Sequence, residues 1–373
     1  MERRRFLSDC FAMRIQDYQN HRARRKALRR QRLIIIGLCA FLCIIGVVLG
    51  SILLKNLFSG DPNPTVTGSS ATDSAGTSDP SGTLPASETS VPASSISDQE
   101  RAALLSSLEK DIEQYLSLKT GRFSVYYINM GNGETASYNE TAPMVAASSI
   151  KIAYNTFLYK KAADGSFSMD DKMKYNSAPY PTGDFEAGTG TIQNAPNGTE
   201  FTIREISRRS IRISDNCATN MVLRKLGGID AVNDGFMTPI SAVVNYRSSV
   251  SYTDYSGANQ SGRHRTSARD LAEYARELYN LYSANSDAYS DLIDDLCNTE
   301  FSWGIPAGLP DGTRVAHKIG FNPAYAAHND VGIVFAEEDY VLCVMTELGS
   351  ATDAQAHIAE ISRLVGDYIE ACH

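Results

Sequence analysis

Residues 142–154 read APMVAASSIKIAY, and the serine and lysine in it stand as Ser148-Ser149-Ile150-Lys151. Placed at the start of a helix, residues three apart lie one turn apart on the same side, which brings Ser148 and Lys151 together. A lysine amine held there and partly desolvated can take the serine proton and leave a competent nucleophile. The same serine also has a plain structural use, because Ser is a favoured helix N-cap. The pattern recurs at Ser107-Leu108-Glu109-Lys110, in an exposed first helix, so it decides nothing alone.

Two further elements follow in order. Ser214-Asp215-Asn216 precedes CATNMVL, between a strand-like Ile211-Arg212-Ile213 and an amphipathic helix. There a serine hydroxyl can relay protons while the Asn216 amide orients a substrate amide. All three residues are also common helix caps. The third element is Lys318-Ile319-Gly320, in GLPDGTRVAHKIGF. A lysine on an edge strand beside a pocket adds positive charge near the serine pair and a substrate carboxylate. Gly320 would let a substrate backbone approach that strand closely.

Together these elements resemble the signatures Ser-x-x-Lys, Ser-Asp-Asn and Lys-Thr-Gly of the penicillin-recognising serine enzymes, and the chain is most similar to the class A β-lactamases. The resemblance covers about residues 98–373. Ser148 to Ser214 is 66 residues and Ser214 to Lys318 is 104, both close to that family's layout. The surroundings match as well. Pro196-Asn197-Gly198-Thr199 precedes Phe201–Ile206. Ala218, Asn220 and Leu223 follow the asparagine, Ala307-Gly308-Leu309-Pro310 leads to the lysine strand, and Asn329-Asp330 opens the next one. The resemblance implies Ser148 as the acylated nucleophile, with Lys151, Ser214, Asn216 and Lys318 in their family roles. It also implies an oxyanion hole from the backbone amides of Ser148 and Phe321, and a β-lactam or peptidoglycan-derived substrate.

The pattern breaks at two places. Ile319 stands where the family has a Thr or Ser hydroxyl, and no arginine lies between Arg314 and Arg363, so recognition of a β-lactam carboxylate should weaken. Lys318 remains, with His317 or His328 available to assist. Class A enzymes activate the deacylating water with a loop glutamate between the second and third motifs. No glutamate occurs from Ile206 to Leu271; the local acid is Asp254, in SYTDYSGANQ, which is either a possible deacylation residue or an ordinary loop aspartate.

Outward from the motifs, the elements divide between the ends and the middle. Ser97 and Glu100 form a capping box before Leu104, Leu105, Leu108, Ile112, Tyr115 and Leu116 at helical spacing. Arg122–Met130 and Glu134–Tyr138 read as a hairpin, Asp330–Phe335 and Tyr340–Glu347 as strands, and Asp353–Tyr368 as a final helix. Helical patterns fill Thr202–Arg209, Cys217–Leu226 and Thr266–Leu281. The expected fold is α/β: an antiparallel sheet drawn from both ends and packed by helices, with an all-helical subdomain, in the β-lactamase/transpeptidase-like arrangement that the resemblance implies.

Upstream of residues 97–373 the character changes. Residues 1–32 hold eleven Lys or Arg against three acids, a net +8, leaving −16 on the rest of a chain whose total is −8. Residues 33–54, LIIIGLCAFLCIIGVVLGSILL, carry no charge over 22 positions. At 1.5 Å per residue they span about 33 Å, matching a bilayer core of roughly 30 Å. Arginines crowd the N-terminal side and only Lys55 follows, which places the N-terminus in the cytoplasm and the rest outside a cell membrane crossed once. The basic head is therefore a topology signal and not a nucleic-acid site. Its apolar region is longer than a cleaved signal peptide's. Residues 55–96 form a disordered Ser/Thr/Pro/Gly stalk; its 59–95 portion has a reach on the order of 30–37 Å.

Seven cysteines are irregularly spaced, and Cys217 and Cys343, in apolar segments, read as buried free thiols. No metal-ligand cluster or phosphate-binding glycine loop is visible, so no metal or cofactor is expected. The oligomeric state is not encoded legibly. Three functions fit these residues: a β-lactamase-type serine hydrolase, a D-alanyl-D-alanine carboxypeptidase-like wall enzyme, and a non-catalytic domain that binds wall fragments.

Overall fold

The computed structural model describes residues 96–373. The basic head 1–32, the apolar span 33–54 and all but the last residue of the stalk 55–96 lie outside the described residues. Among the described residues no helix is long and apolar enough to cross a membrane.

Helix α1 (Asp98–Ser117) starts where the capping box puts it. Ser97 Oγ accepts from the Glu100 amide at 3.3 Å, and the Glu100 carboxylate accepts from the Ser97 amide at 3.0 Å. The helix buries Leu108, Ile112 and Leu116, while Ser107 and Lys110 stay exposed, so that serine–lysine pair has no site around it. Strands β1 (Arg122–Asn129) and β2 (Thr135–Tyr138) form the hairpin. A two-stranded ladder then joins β3 (Met144–Val145) to β8 (Arg265–Thr266).

A 3₁₀ turn, Ala147–Ile150, runs into α2 (Lys151–Ala163). After the short pair β4 (Lys172–Lys174) and β5 (Glu200–Thr202) come α3 (Ile203–Arg212) and α4 (Asn216–Lys225). The hairpin β6 (Val250–Thr253) and β7 (Asn259–Gly262) precedes α5 (Ala268–Ala284) and α6 (Ser286–Cys297). The chain closes with β9 (Arg314–Asn322), β10 (Ala327–Phe335), β11 (Tyr340–Glu347) and α7 (Ala351–Ala371).

The five-stranded antiparallel sheet has the order β2-β1-β11-β10-β9. Strand β11 is central and wholly buried, and its side chains alternate between two cores as strand geometry requires. Val341, Cys343 and Met345 join the core beneath α2–α6; Tyr340, Leu342 and Val344 join the one under α1 and α7. The fold is thus the expected α/β arrangement of an antiparallel sheet and helices. Four elements differ in detail. The Ile211-Arg212-Ile213 stretch is not a strand: α3 runs through Arg212, its Thr202–Glu205 capping box and buried Ile203, Ile206 and Ile211 setting a helical period. Strand β10 begins three residues early at Ala327, α7 extends to Ala371, and α6 is a helix that the sequence reading did not single out. Cys217 and Cys343 are buried free thiols as expected.

Candidate active site

The edge strand β9 lies against the turn that carries Ser148. A Cβ on Gly320 would sit 2.7 Å from the Ala146 carbonyl and 2.9 Å from the Ser149 amide, so only glycine permits the contact. This corrects the expectation for Gly320: it is buried against the protein's own Ala146–Ser149 turn, and it does not line the cavity. Asn329 on β10 fixes the same turn, donating to the Val145 and Ala146 carbonyls at 2.8 and 3.0 Å while its own Oδ1 accepts from the Thr346 amide. Ala147, just before the serine, is held at φ +48°, a strained conformation of the kind that collects at functional sites.

In the 3₁₀ turn residues three apart eclipse one another, which aligns Ser148 with Lys151 at the first position of α2. Ser148 is half-buried on the wall of a cavity of about 1070 Å³; Lys151, Ser214, Asn216, Ile319 and Phe321 line it too. Lys151 is buried, and its Nζ donates to the Ser214 carbonyl (2.8 Å), the Asn216 Oδ1 (3.0 Å) and the Ser214 Oγ (3.2 Å). Lys318, fully buried behind it, donates to the same Ser214 Oγ (3.2 Å) and to the Ile319 carbonyl (3.0 Å). One hydroxyl therefore stands between two lysines, on a serine held at φ +55°. Burial lowers the Lys151 pKa to about 8, against the opposing pull of the Glu186 and Asp215 carboxylates. Burial, and then the charge of Lys151, push Lys318 well below the usual lysine range, with Asp330 pulling the other way.

Asp215 is the N-cap of α4, its Oδ1 accepting from the Ala218 amide at 2.9 Å. Its Oδ2 accepts from the Thr191 and Ile192 amides at 2.6 and 2.9 Å, which pins the preceding loop to the second motif. That loop delivers a residue the sequence reading missed. Glu186 lines the cavity, accepts from Asn220 Nδ2 at 3.0 Å and is the strongest charge acting on Lys151. The only sequence signal for it was Asn220, one helical turn after the Ser214-Asp215-Asn216 motif.

Asp254, in contrast, is not in the cleft. It closes the β6–β7 hairpin, where its carboxylate accepts from the Ser256 hydroxyl and amide, the Ala258 amide and Gln260 Nε2, and it lines a separate pocket with Tyr252 and Tyr325. The Ser256 hydroxyl leads these donors in holding its pKa down at about 2, too weak a base for the deacylation role considered for it. The two histidines also part. His317 is buried with Nδ1 on Asp330 (2.9 Å) and Nε2 on Thr299 (3.2 Å), away from the cavity. His328 lines it.

Comparison with known proteins agrees with this geometry. The family model described as "Beta-lactamase enzyme family" matches residues 107–369. A beta-lactamase of Bacillus licheniformis is 25% identical over 268 residues, 68% of this chain and 80% of that protein. Among solved structures, PBP-A superposes with a TM-score of 0.61 at 24% identity, over 71% of this chain and 97% of that one; a PBP-A mutant has been captured as an acyl-enzyme complex with penicillin G. The TLA-3 extended-spectrum beta-lactamase gives 0.60 at 22%, over 71% and 99%.

Proposed function

This chain belongs to the beta-lactamase enzyme family of serine hydrolases, and from that premise we propose that it cleaves a β-lactam or related amide through an acyl-enzyme on Ser148. The observation that carries the reading is the Ser214 hydroxyl shared by Lys151 and Lys318, on the cavity that Ser148 also lines. Lys151 in its neutral form takes the Ser148 proton as Oγ bonds to the acyl carbon. As the scissile C–N bond breaks, that proton passes from Lys151 through the Ser214 hydroxyl to the leaving nitrogen. The Ser148 and Phe321 amides form the oxyanion hole and Asn216 orients the acyl side chain. Water then cleaves the ester. We assign its activation to Glu186, which is open to the cavity, oriented by Asn220 and on the Lys151 side of it.

The absence of a glutamate between Ile206 and Leu271, together with the likeness to PBP-A, favours a second reading, a penicillin-binding wall enzyme that keeps its adduct. Intact-protein mass spectrometry of the protein with penicillins and a D-Ala-D-Ala peptide separates the readings. Turnover supports a β-lactamase, and a lasting adduct on Ser148 supports the wall enzyme. No adduct with any donor, with Ser148→Ala indistinguishable from wild type, refutes the hydrolase. We propose further that residues 33–54 anchor the chain with its catalytic domain outside the cell membrane, on the support of the uncharged run and the arginines before it. Protease shaving of intact cells should remove the C-terminal domain and spare the basic segment.

A further inference from the structure

The part of the cavity beside Ile319 is built almost without charge. Ile319 is 5% exposed, Trp303 and Phe321 line the same wall, and His328, paired in register with Phe321, completes it. His328 is 3% exposed, and neither ring nitrogen has a hydrogen-bond partner. Its ring packs against Phe321 at 4.8 Å and Trp303 at 6.5 Å. A buried imidazole with both nitrogens unpartnered is costly to leave so. Phe321, whose ring covers the imidazole, is itself 49% exposed, and a turn of that ring is what would open the imidazole to a ligand. Burial lowers the His328 pKa, while the Ala326 carbonyl, already an acceptor for the Leu348 amide, pulls weakly the other way. The imidazole is therefore neutral at neutral pH, with one N–H donor and one bare nitrogen acceptor.

The cations nearest this cavity have other partners: Lys151 is directed at the Ser214 carbonyl and hydroxyl and at Asn216 Oδ1. Lys318 is directed at Ser214 Oγ and the Ile319 carbonyl. Arg247, the arginine lining the cavity, is paired with Asp230 and hydrogen-bonded to His264. A carboxylate entering here would lose water and find each cation already partnered, which is unfavourable. A carboxamide offers an acceptor for the imidazole N–H and a donor for the bare nitrogen.

We propose that the wall of Ile319, Trp303, Phe321 and His328 binds an uncharged carboxamide on the leaving-group side of the substrate, so that the substrate class is an amidated acyl donor in preference to one ending in a carboxylate. The proposal rests on the acyl-enzyme reading above and specifies its substrate.

The test uses the full-length protein and two thioester acyl donors identical except that one ends in a carboxamide and the other in a carboxylate. Acylation of Ser148 is followed by stopped-flow and mass spectrometry. The carboxamide should acylate faster by on the order of 10–100-fold, the cost of leaving buried polar groups unpaired. His328→Arg should reverse the preference, and His328→Gln, which keeps a neutral donor and acceptor, should retain it. Should the arginine variant fail to fold, the wild-type and His328→Gln ratios decide the matter. Equal rates, or a wild-type preference for the carboxylate, overturn this inference and leave the hydrolase intact. No adduct from either donor removes the hydrolase and this inference with it.

Discussion

Glu186→Gln tests the assignment of the deacylating base most directly, because it removes a charge and little else. The amide oxygen of glutamine can still accept from Asn220 Nδ2, the contact made at 3.0 Å, so the loop position should hold. Two consequences follow from two different observations. If Glu186 activates the hydrolytic water, losing a general base costs 10²–10⁴-fold in deacylation, about 3–5 kcal/mol of barrier. The acyl-enzyme should then accumulate on Ser148. Separately, the Glu186 carboxylate raises the Lys151 pKa, which stands at about 8. Lys151 must be neutral to act, so acylation rises with pH through that value. Without the Glu186 charge the rising limb should move to lower pH, and acylation at neutral pH should become faster while deacylation becomes slower.

Stopped-flow acylation between pH 5 and 9, combined with intact-mass detection of the adduct after quenching, reads both effects in one variant. Opposite changes in the two steps are a signature that general damage to the site does not produce. A shifted limb with unchanged deacylation would reduce Glu186 to a tuner of Lys151. An unmoved limb with wild-type deacylation would refute the whole argument. So would a wild-type protein that itself holds the adduct indefinitely, since its carboxylate would then activate no water.

Ile319→Thr restores the hydroxyl that the third motif lacks. One hydrogen bond to a charged group contributes about 1.5–3 kcal/mol, so penicillin acylation efficiency should rise roughly 10–150-fold; an unchanged kcat/KM would show that the missing hydroxyl is not what limits β-lactam recognition. Asp254→Asn should leave the acyl-enzyme lifetime as it is, because the carboxylate serves the β6–β7 hairpin; a lengthened lifetime would return Asp254 to the reaction. Asn329→Ala strips buried contacts from the Val145 and Ala146 carbonyls and the Thr346 amide. It should cost roughly 3 kcal/mol in urea unfolding and slow acylation as the Ser148 turn loosens. An unaltered midpoint would mean that β9 and Gly320 alone hold the turn.

The residues legible in the sequence are those whose geometry is local. Ser148 and Lys151 share one turn, Ser214 and Asn216 flank one cap, and Lys318 alternates along one strand, so spacing alone puts each in order. Glu186 was not legible, because nothing in its own neighbourhood marks it. It reaches the site because residues about 30 positions later hold its loop: Cys217 and Asn220 at Glu186 itself, and Asp215 at the amides of Thr191 and Ile192. Asp254 has the chain position of the family's loop glutamate but the wrong place in space. Gly320 shows the same limit in another form. Its lack of a side chain was evident, but whether substrate or protein occupies the space depends on how β9 docks. The Ile211-Arg212-Ile213 error has a different cause: β-branched residues suggested a strand, and the Thr202 capping box with its helical period prevailed.

The two lysines also carry a consequence for what the cleft can recognise. Both are buried within reach of one hydroxyl, and the charge on Lys151 helps hold Lys318 well below the ordinary lysine range. Each charge therefore disfavours the other, and the pair behaves as a single titrating unit. Glu186 and Asp215 favour charge on Lys151, while burial disfavours it on Lys318. Lys318 stands against the Ser214 hydroxyl, within reach of the proton that passes to the leaving nitrogen. With Ile319 in place of a hydroxyl and no arginine on the neighbouring strand, nothing cationic faces that wall. Burial, which prepares Lys151 as a base, thus also weakens the attraction for a charged leaving group, and the unpartnered imidazole of His328 is a polar group there to meet the substrate.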